Sequence, residues 1–260
     1  MYIDTHTHLF SQKFEEDREE AVKRAIAAGV NKMFLPNIDA ASVDSVFELS
    51  EKFPENCFPM LGLHPCSVKE NYEEELAQIK ESLFAHPETM AVGETGLDYY
   101  WDTTFKKEQQ TALRMQIEWA KELEIPIVLH TRNSFEDSWS IINEMNDERL
   151  RGVFHCFSGT IEEAEKVMEL GGFFMGIGGV LTFKKSGLAA TVAQIPLEYL
   201  VLETDSPYLA PTPHRGKRNE SGYIPYIAQK MAEAKEMPLE DLAAATTANA
   251  ERLFAKVKTV

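Results

Sequence analysis

The chain has 260 residues, of which 44% are hydrophobic and 26% charged, an ordinary globular composition long enough to bury a sizeable core. Lys and Arg number 26 against 42 Asp and Glu, and the net charge of −16 repels nucleic acid at long range, so any nucleic-acid role must rest on a local site. No apolar run approaches the ~18 residues of a membrane span, no signal-peptide order opens the chain, and three cysteines without a CxxC pair argue against disulfides, so a cytoplasmic protein without membrane contact or obligate protein partner is expected.

Short apolar runs rich in Val, Ile, Leu and Phe recur every ~25–30 residues, each followed by a stretch of helical period. They predict strands at residues 2–4, 32–36, 58–62, 90–93, 125–129, 152–154, 173–176 and 199–202. Between the fourth and fifth, residues 105–123 place Leu113, Ile117, Ala120 and Leu123 on one helical stripe. After the sixth, Thr160-Ile-Glu-Glu163 is a capping box, opening a helix that Gly171 and Gly172 close. After the eighth, Pro238 in a first turn opens a last helix running to about Phe254. Eight strand–helix units predict an α/β fold, a single (β/α)8 TIM barrel over residues 1–260. A doubly wound open sheet would carry a glycine-rich phosphate turn after its first strand, where this chain has His6-Thr-His8.

Five of the seven histidines directly follow apolar runs: His6 and His8 the first, His64 the third, His130 the fifth and His155 the sixth. Glu94 and Asp205 stand at the same place after the fourth and eighth. The carboxyl ends of barrel strands converge on one mouth, and packing does not explain functional side chains arriving there from six strands. A lone histidine is usually a satisfied core or surface residue. Here His-x-His aims two imidazoles at one face, and with further histidines and two acids the set suits a pair of divalent cations. Asp4 and Glu203 sit deeper on strands one and eight, which become neighbours when a barrel closes, and both are expected to orient ligand histidines. His86 falls at the opposite rim, a surface position. Cys156 is expected to point away from the mouth.

The blocks Asp4-Thr-His-Thr-His8, Gly62-Leu-His-Pro65, Gly93-Glu-Thr-Gly-Leu-Asp-Tyr-Tyr100, His130-Thr-Arg132, His155-Cys-Phe-Ser-Gly159, Glu203-Thr-Asp-Ser-Pro-Tyr-Leu209 and Pro213-His-Arg-Gly-Lys-Arg-Asn-Glu220 together resemble the TatD family of metal-dependent deoxyribonucleases. The resemblance implies that His6, His8 and Asp205 hold one metal and His130 and His155 a second, with Glu94 bridging both. It implies cleavage of DNA, as single strands or ends, by a water that two divalent cations (zinc, manganese, magnesium or similar) activate. Asp205 is then the candidate base. His64 lines the site, to bind a phosphate oxygen or protonate the leaving group. Arg132 and Arg215 are the candidate substrate-binding bases, with Lys184, Lys185, Lys217 and Arg218 nearby. Tyr99, Tyr100, Trp101 and Phe157 on mouth loops either stack bases or pack their own loops. The chain departs from the family pattern at Asn133, where an acid is common, and at Ser221, where proline is usual.

Two rivals stand beside the nuclease: a hydrolase of a small ester, lactone or amide on the same binuclear site, and a non-catalytic relic. A relic tends to lose ligands, and here all six positions are filled. Salt separates the first two, because a nuclease displaces counterions from phosphates and a hydrolase of small neutral esters does not.

Overall fold

Each apolar run becomes a strand. The structure is a computed structural model describing residues 1–255. It contains β1 (Tyr2–Asp4), α1 (Arg18–Ala27), β2 (Val30–Pro36), α2 (Val43–Lys52), β3 (Cys57–Met60), α3 (Tyr72–Ala85), β4 (Val92–Asp98), α4 (Lys106–Leu123), β5 (Ile127–Arg132), α5 (Phe135–Met145), β6 (Gly152–Phe154), α6 (Ile161–Glu169), β7 (Phe173–Ile177), α7 (Leu188–Gln194), β8 (Leu200–Leu202), α8 (Ile224–Ala234) and α9 (Leu239–Leu253). All strand pairings are parallel, as connections through helices require. No helix among the described residues is long and apolar enough to cross a membrane.

The ladders form two arcs, β1-β2-β3 and β4-β5-β6-β7-β8. Two seams join them into a (β/α)8 barrel. At one, Leu61 bridges to Val92 and Gly93 N–H donates to Leu61 O (2.9 Å). At the other, Thr5 N–H donates to Leu202 O and Asp205 N–H to His6 O, each at 3.0 Å.

Inside the barrel, Ile3, Phe34, Met60, Ala91, Val128, Val153, Phe174 and Val201 form an apolar layer with one residue from each strand or its start. Ala250, Leu253 and Phe254 at the end of α9 plug it from below, with Phe254 stacked on Phe34 at 3.7 Å. Strand side chains alternate, so two residues further on the inward face reaches His130, His155, Gly176 and Glu203. The mouth therefore begins where the hydrocarbon floor ends. A larger apolar layer lies between the barrel wall and the helices.

Several boundaries shift from the expected ones. β4 and β5 extend to Asp98 and Arg132, so Glu94 and His130 stand inside strands rather than after them. Pro238 is the N-cap of α9, in extended backbone, rather than a first-turn residue. The capping box at α6 is present: Thr160 accepts from Glu163 N–H, and Glu163 accepts from Thr160 N–H at 2.8 Å.

Candidate metal centre

Strict alternation from Ala91 would turn Glu94 away from the barrel axis. A register irregularity between Val92 and Thr95 re-aims it inward, a familiar use of a bulge beside a functional site. Gly93 makes this possible, because a Cβ there would lie 2.6 Å from Val128 Cβ. Gly176 similarly clears the space that Glu203 occupies.

Glu94 is buried, and its two oxygens face two different groups. Oε2 lies 3.1 Å from His6 Nε2 and 3.4 Å from His8 Nε2, with Asp205 Oδ1 a further 3.5 Å from His8 Nε2. Oε1 lies 2.9 Å from His130 Nδ1, 2.9 Å from His155 Nε2 and 3.3 Å from His64 Nε2. All six residues expected to hold metal, and His64 with them, meet in one place.

The atom behind each ring sets its tautomer. His8 Nδ1 is 3.1 Å from the Pro36 carbonyl, and His130 Nε2 is 2.9 Å from Asp98 Oδ2. Both partners only accept, so the proton sits on the far nitrogen and a bare lone pair faces Glu94. His155 has Glu203 Oε1 behind Nδ1, at 3.5 Å. His64 is reversed: its Nδ1 accepts from Cys66 N–H at 3.0 Å, so the proton is on Nε2, aimed into the cavity. His6 Nδ1 has no hydrogen-bond partner among the described residues.

Lone pairs of His8 and His130 thus confront a carboxylate, acceptor against acceptor. A cation between them removes that conflict. Facing ring nitrogens are spaced 3.3 Å (His6 to His8) and 3.4 Å (His155 to His130). Those are the ~3.0–3.4 Å edges of a polyhedron with metal–nitrogen distances of about 2.0–2.1 Å. The residues fit divalent cations. Without one the site draws in protons instead: burial pushes His8 down, but Asp205 and Glu94 outweigh it and raise His8 to about 9. Burial likewise lowers His130 and His155, and the neighbouring carboxylates outweigh it, so both are raised.

Glu203 is fully buried, accepts from Cys156 N–H at 2.6 Å and approaches His155 Nδ1 to 3.5 Å. Asp4 acts mainly on the backbone: it accepts from Thr204 N–H (2.9 Å) and the Thr204 hydroxyl (2.6 Å), closing the seam between β1 and β8, and from the His6 backbone N–H (3.3 Å), while touching no candidate ligand ring among the described residues. Asp98, behind His130, was not singled out by sequence reasoning. It shares the parity of Glu94 along β4, and that alternation was the available signal.

Around this centre lies a cavity of about 690 Å³, whose lining includes Arg132, Trp101, Tyr208 and Cys156. Cys156 faces the mouth, contrary to expectation, because its φ of 49° turns the chain through the left-handed region. Arg132 stands at the rim. Arg215 is not part of the lining; its guanidinium lies 3.5 Å above the Phe183 ring. Arg218 is engaged elsewhere, bidentate to Asp17 at 2.7 Å for both bonds. Tyr99 is tied to Asp137 by its hydroxyl (3.0 Å) and Phe157 is buried, so both pack their loops. His86 lies at the surface after α3, with Nδ1 3.0 Å from Glu88.

Comparison with known proteins places these features in context. The family described as TatD related DNase matches residues 3–255. The uncharacterized metal-dependent hydrolase YabD of Bacillus subtilis is 40% identical over 98% of this chain and 99% of its own. The 3'-5' ssDNA/RNA exonuclease TatD of Citrobacter rodentium is 34% identical over 97% of each chain. The crystal structure of YjjV, a TatD homolog from Escherichia coli, superposes with a TM-score of 0.91 at 31% identity, covering 97% of each chain.

Proposed function

Since this chain belongs to the TatD-related DNase family of metal-dependent hydrolases, we propose that it hydrolyses phosphodiester bonds of DNA at a centre of two divalent cations. The observation that carries this reading is the division of Glu94, one oxygen toward His6 and His8 and the other toward His130 and His155. In this reading His6, His8 and Asp205 would hold one cation, His130 and His155 would hold the other, and Glu94 would serve both. Zinc or manganese suits imidazole donors better than magnesium does. Such cations lower the pKa of a water and offset charge on the phosphoryl group. That a relative is named a ssDNA/RNA exonuclease supports nucleic acid as the substrate class.

The chain's own residues supply the rest. Asp205 reaches the cavity from a left-handed turn (φ 54°) and takes the proton of the nucleophile. His64, with its proton on Nε2, donates to a phosphoryl oxygen. That tautomer favours hydrogen bonding over ligation and over acid catalysis, and burial, which lowers its pKa, keeps the ring neutral. Arg132 contacts the backbone at the mouth, and Arg215 serves an outer part of the rim.

The test is a gel time course on 5′- and 3′-labelled single-stranded DNA with metal-loaded wild type and Asp205→Asn. Cleavage by the wild type that disappears in the variant, with rates falling steeply as salt rises, supports the reading. Absence of cleavage with zinc, manganese, cobalt and magnesium sinks it, and hydrolysis of a neutral aryl ester in the same preparation would install the small-molecule hydrolase in its place.

A further inference from the structure

Two large aromatic side chains beside the cavity are left in solvent. Trp101 is 69% exposed and Tyr100 53% exposed, and they meet edge to face at 4.8 Å. Trp101 forms part of the cavity wall. The Arg132 guanidinium lies 4.0 Å from the Tyr100 ring centre and 5.2 Å from that of Trp101.

This Arg is unusual within the molecule. The sequence holds nine arginines in a chain with a large excess of acids. Seven of them donate to a carboxylate or a carbonyl. Arg132 has no such partner among the described residues, and it stands beside a centre suited to phosphodiesters. Its donors are free for an anion.

The aromatic pair is also fixed in place. The backbone N–H groups of Tyr100 and Trp101 donate to Asp98 Oδ1 at 2.9 and 3.2 Å, and the other oxygen of Asp98 is 2.9 Å from His130. One carboxylate therefore sets the distance between the aromatic rings and the metal centre.

We propose that Tyr100, Trp101 and Arg132 form a stacking subsite for one unpaired nucleobase, with Arg132 on the phosphate beside that base. The proposal rests on the nucleic-acid reading above and assigns to these three residues the place where an unpaired base of such a strand is held. A base inside a duplex has both faces covered by its neighbours and cannot lie on Trp101. An unpaired base can, and stacking tolerates any of the four because each has a π-face.

The experiment is a fluorescence-anisotropy titration of dye-labelled strands with the Asp205→Asn protein, so that the strand stays intact, at fixed low salt. One ligand is a 12-nucleotide oligothymidylate; the other is a strand of equal length and charge built from abasic residues. The base-bearing strand is expected to bind about tenfold to a hundredfold more tightly and to quench tryptophan emission. Adding Trp101→Ala should bring its affinity down to the abasic level while thermal stability and metal content stay as before. Equal binding of the two strands, or unchanged binding after Trp101→Ala, overturns the subsite. Failure of the nuclease reading would show separately, as absence of cleavage by metal-loaded wild type, and the contrast between the two strands is scored whether or not cleavage occurs.

Discussion

His130 Nε2 lies 2.9 Å from Asp98 Oδ2, so the ring that turns its other nitrogen toward Glu94 is itself held from behind by a carboxylate. Partners of this kind fix the tautomer and raise the basicity of a ligand, and losing one typically costs about 10–100-fold in metal affinity. On the two-cation reading proposed above, Asp98→Ala is therefore expected to weaken one cation-binding event by that factor and leave the other near wild type. Calorimetric titration of the metal-free protein with zinc resolves the two. Two unchanged affinities would refute the assignment.

Glu203 makes a contrasting case, because its contacts require an acceptor rather than a charge: it accepts from Cys156 N–H and backs His155. Glu203→Gln keeps an acceptor oxygen and should retain most of the metal affinity. Glu203→Ala leaves a buried N–H without a partner and should lose at least tenfold. Equal losses in the two variants, read by metal content after dialysis against a weak chelator, would show that the charge itself matters.

Asp17, the residue before α1, pairs with Arg218 in the segment after β8 and with Arg24 of α1 itself. Those guanidinium groups, Arg218 first, hold its carboxyl below the ordinary range. The folded pKa is the lower one, so the stabilisation is present above the unfolded value near 4 and is lost as pH falls. Asp17 is largely solvated, which limits the effect to about 0.5–1 kcal/mol. Asp17→Asn should lower stability by that amount at pH 7, and the two unfolding curves should begin to converge only as pH falls below about 4. A constant offset below that pH as well would remove the ion pair from the explanation.

Burial pushes the thiols of Cys57 and Cys66 up to about 12 and raises that of Cys156 as well. Only the thiolate reacts, so at pH 8 the native protein should react slowly with an aromatic disulfide reagent and release three equivalents after addition of urea. Here the folded pKa is the higher one. The stabilisation is full below the ordinary thiol value and declines above about pH 9. Rapid labelling of all three thiols in the folded chain at pH 8 would contradict their raised pKa values.

The plug beneath the barrel carries a stability prediction. Phe254 is buried and stacked on Phe34, and its truncation to Ala leaves a cavity among the residues lining the barrel axis. Losses of about 3–5 kcal/mol are typical of Phe→Ala in a core. Denaturant unfolding should show a drop in that range, and a change below 1 kcal/mol would mean that the floor repacks without α9.

The strands were readable in the sequence because each is a short apolar run buried on both faces, as in any barrel wall. The cluster of candidate ligands was readable because His6, His8, Glu94, His130, His155 and Asp205 interrupt or follow those runs at one end. What escaped depends on contacts between distant parts of the chain. Arg218 resembled a phosphate-binding residue until folding brought it to Asp17, about 200 residues earlier in the chain. Asp4 shared a strand with the ligands, yet the β1–β8 seam gave it Thr204 as its partner. Of the four mouth aromatics, only packing could separate Tyr99 and Phe157, which are used up within their loops, from Tyr100 and Trp101.

The two seams of the barrel bear on how the molecule holds together. The three-strand arc supplies His6 and His8, and the five-strand arc or its end supplies Glu94, His130, His155 and Asp205. Any ion gripped by both sets acts as a rivet through the joint. Chelation would then loosen the two halves against each other before either unravels, and the metal would take its place only once the halves had met, as the last part fitted in assembly.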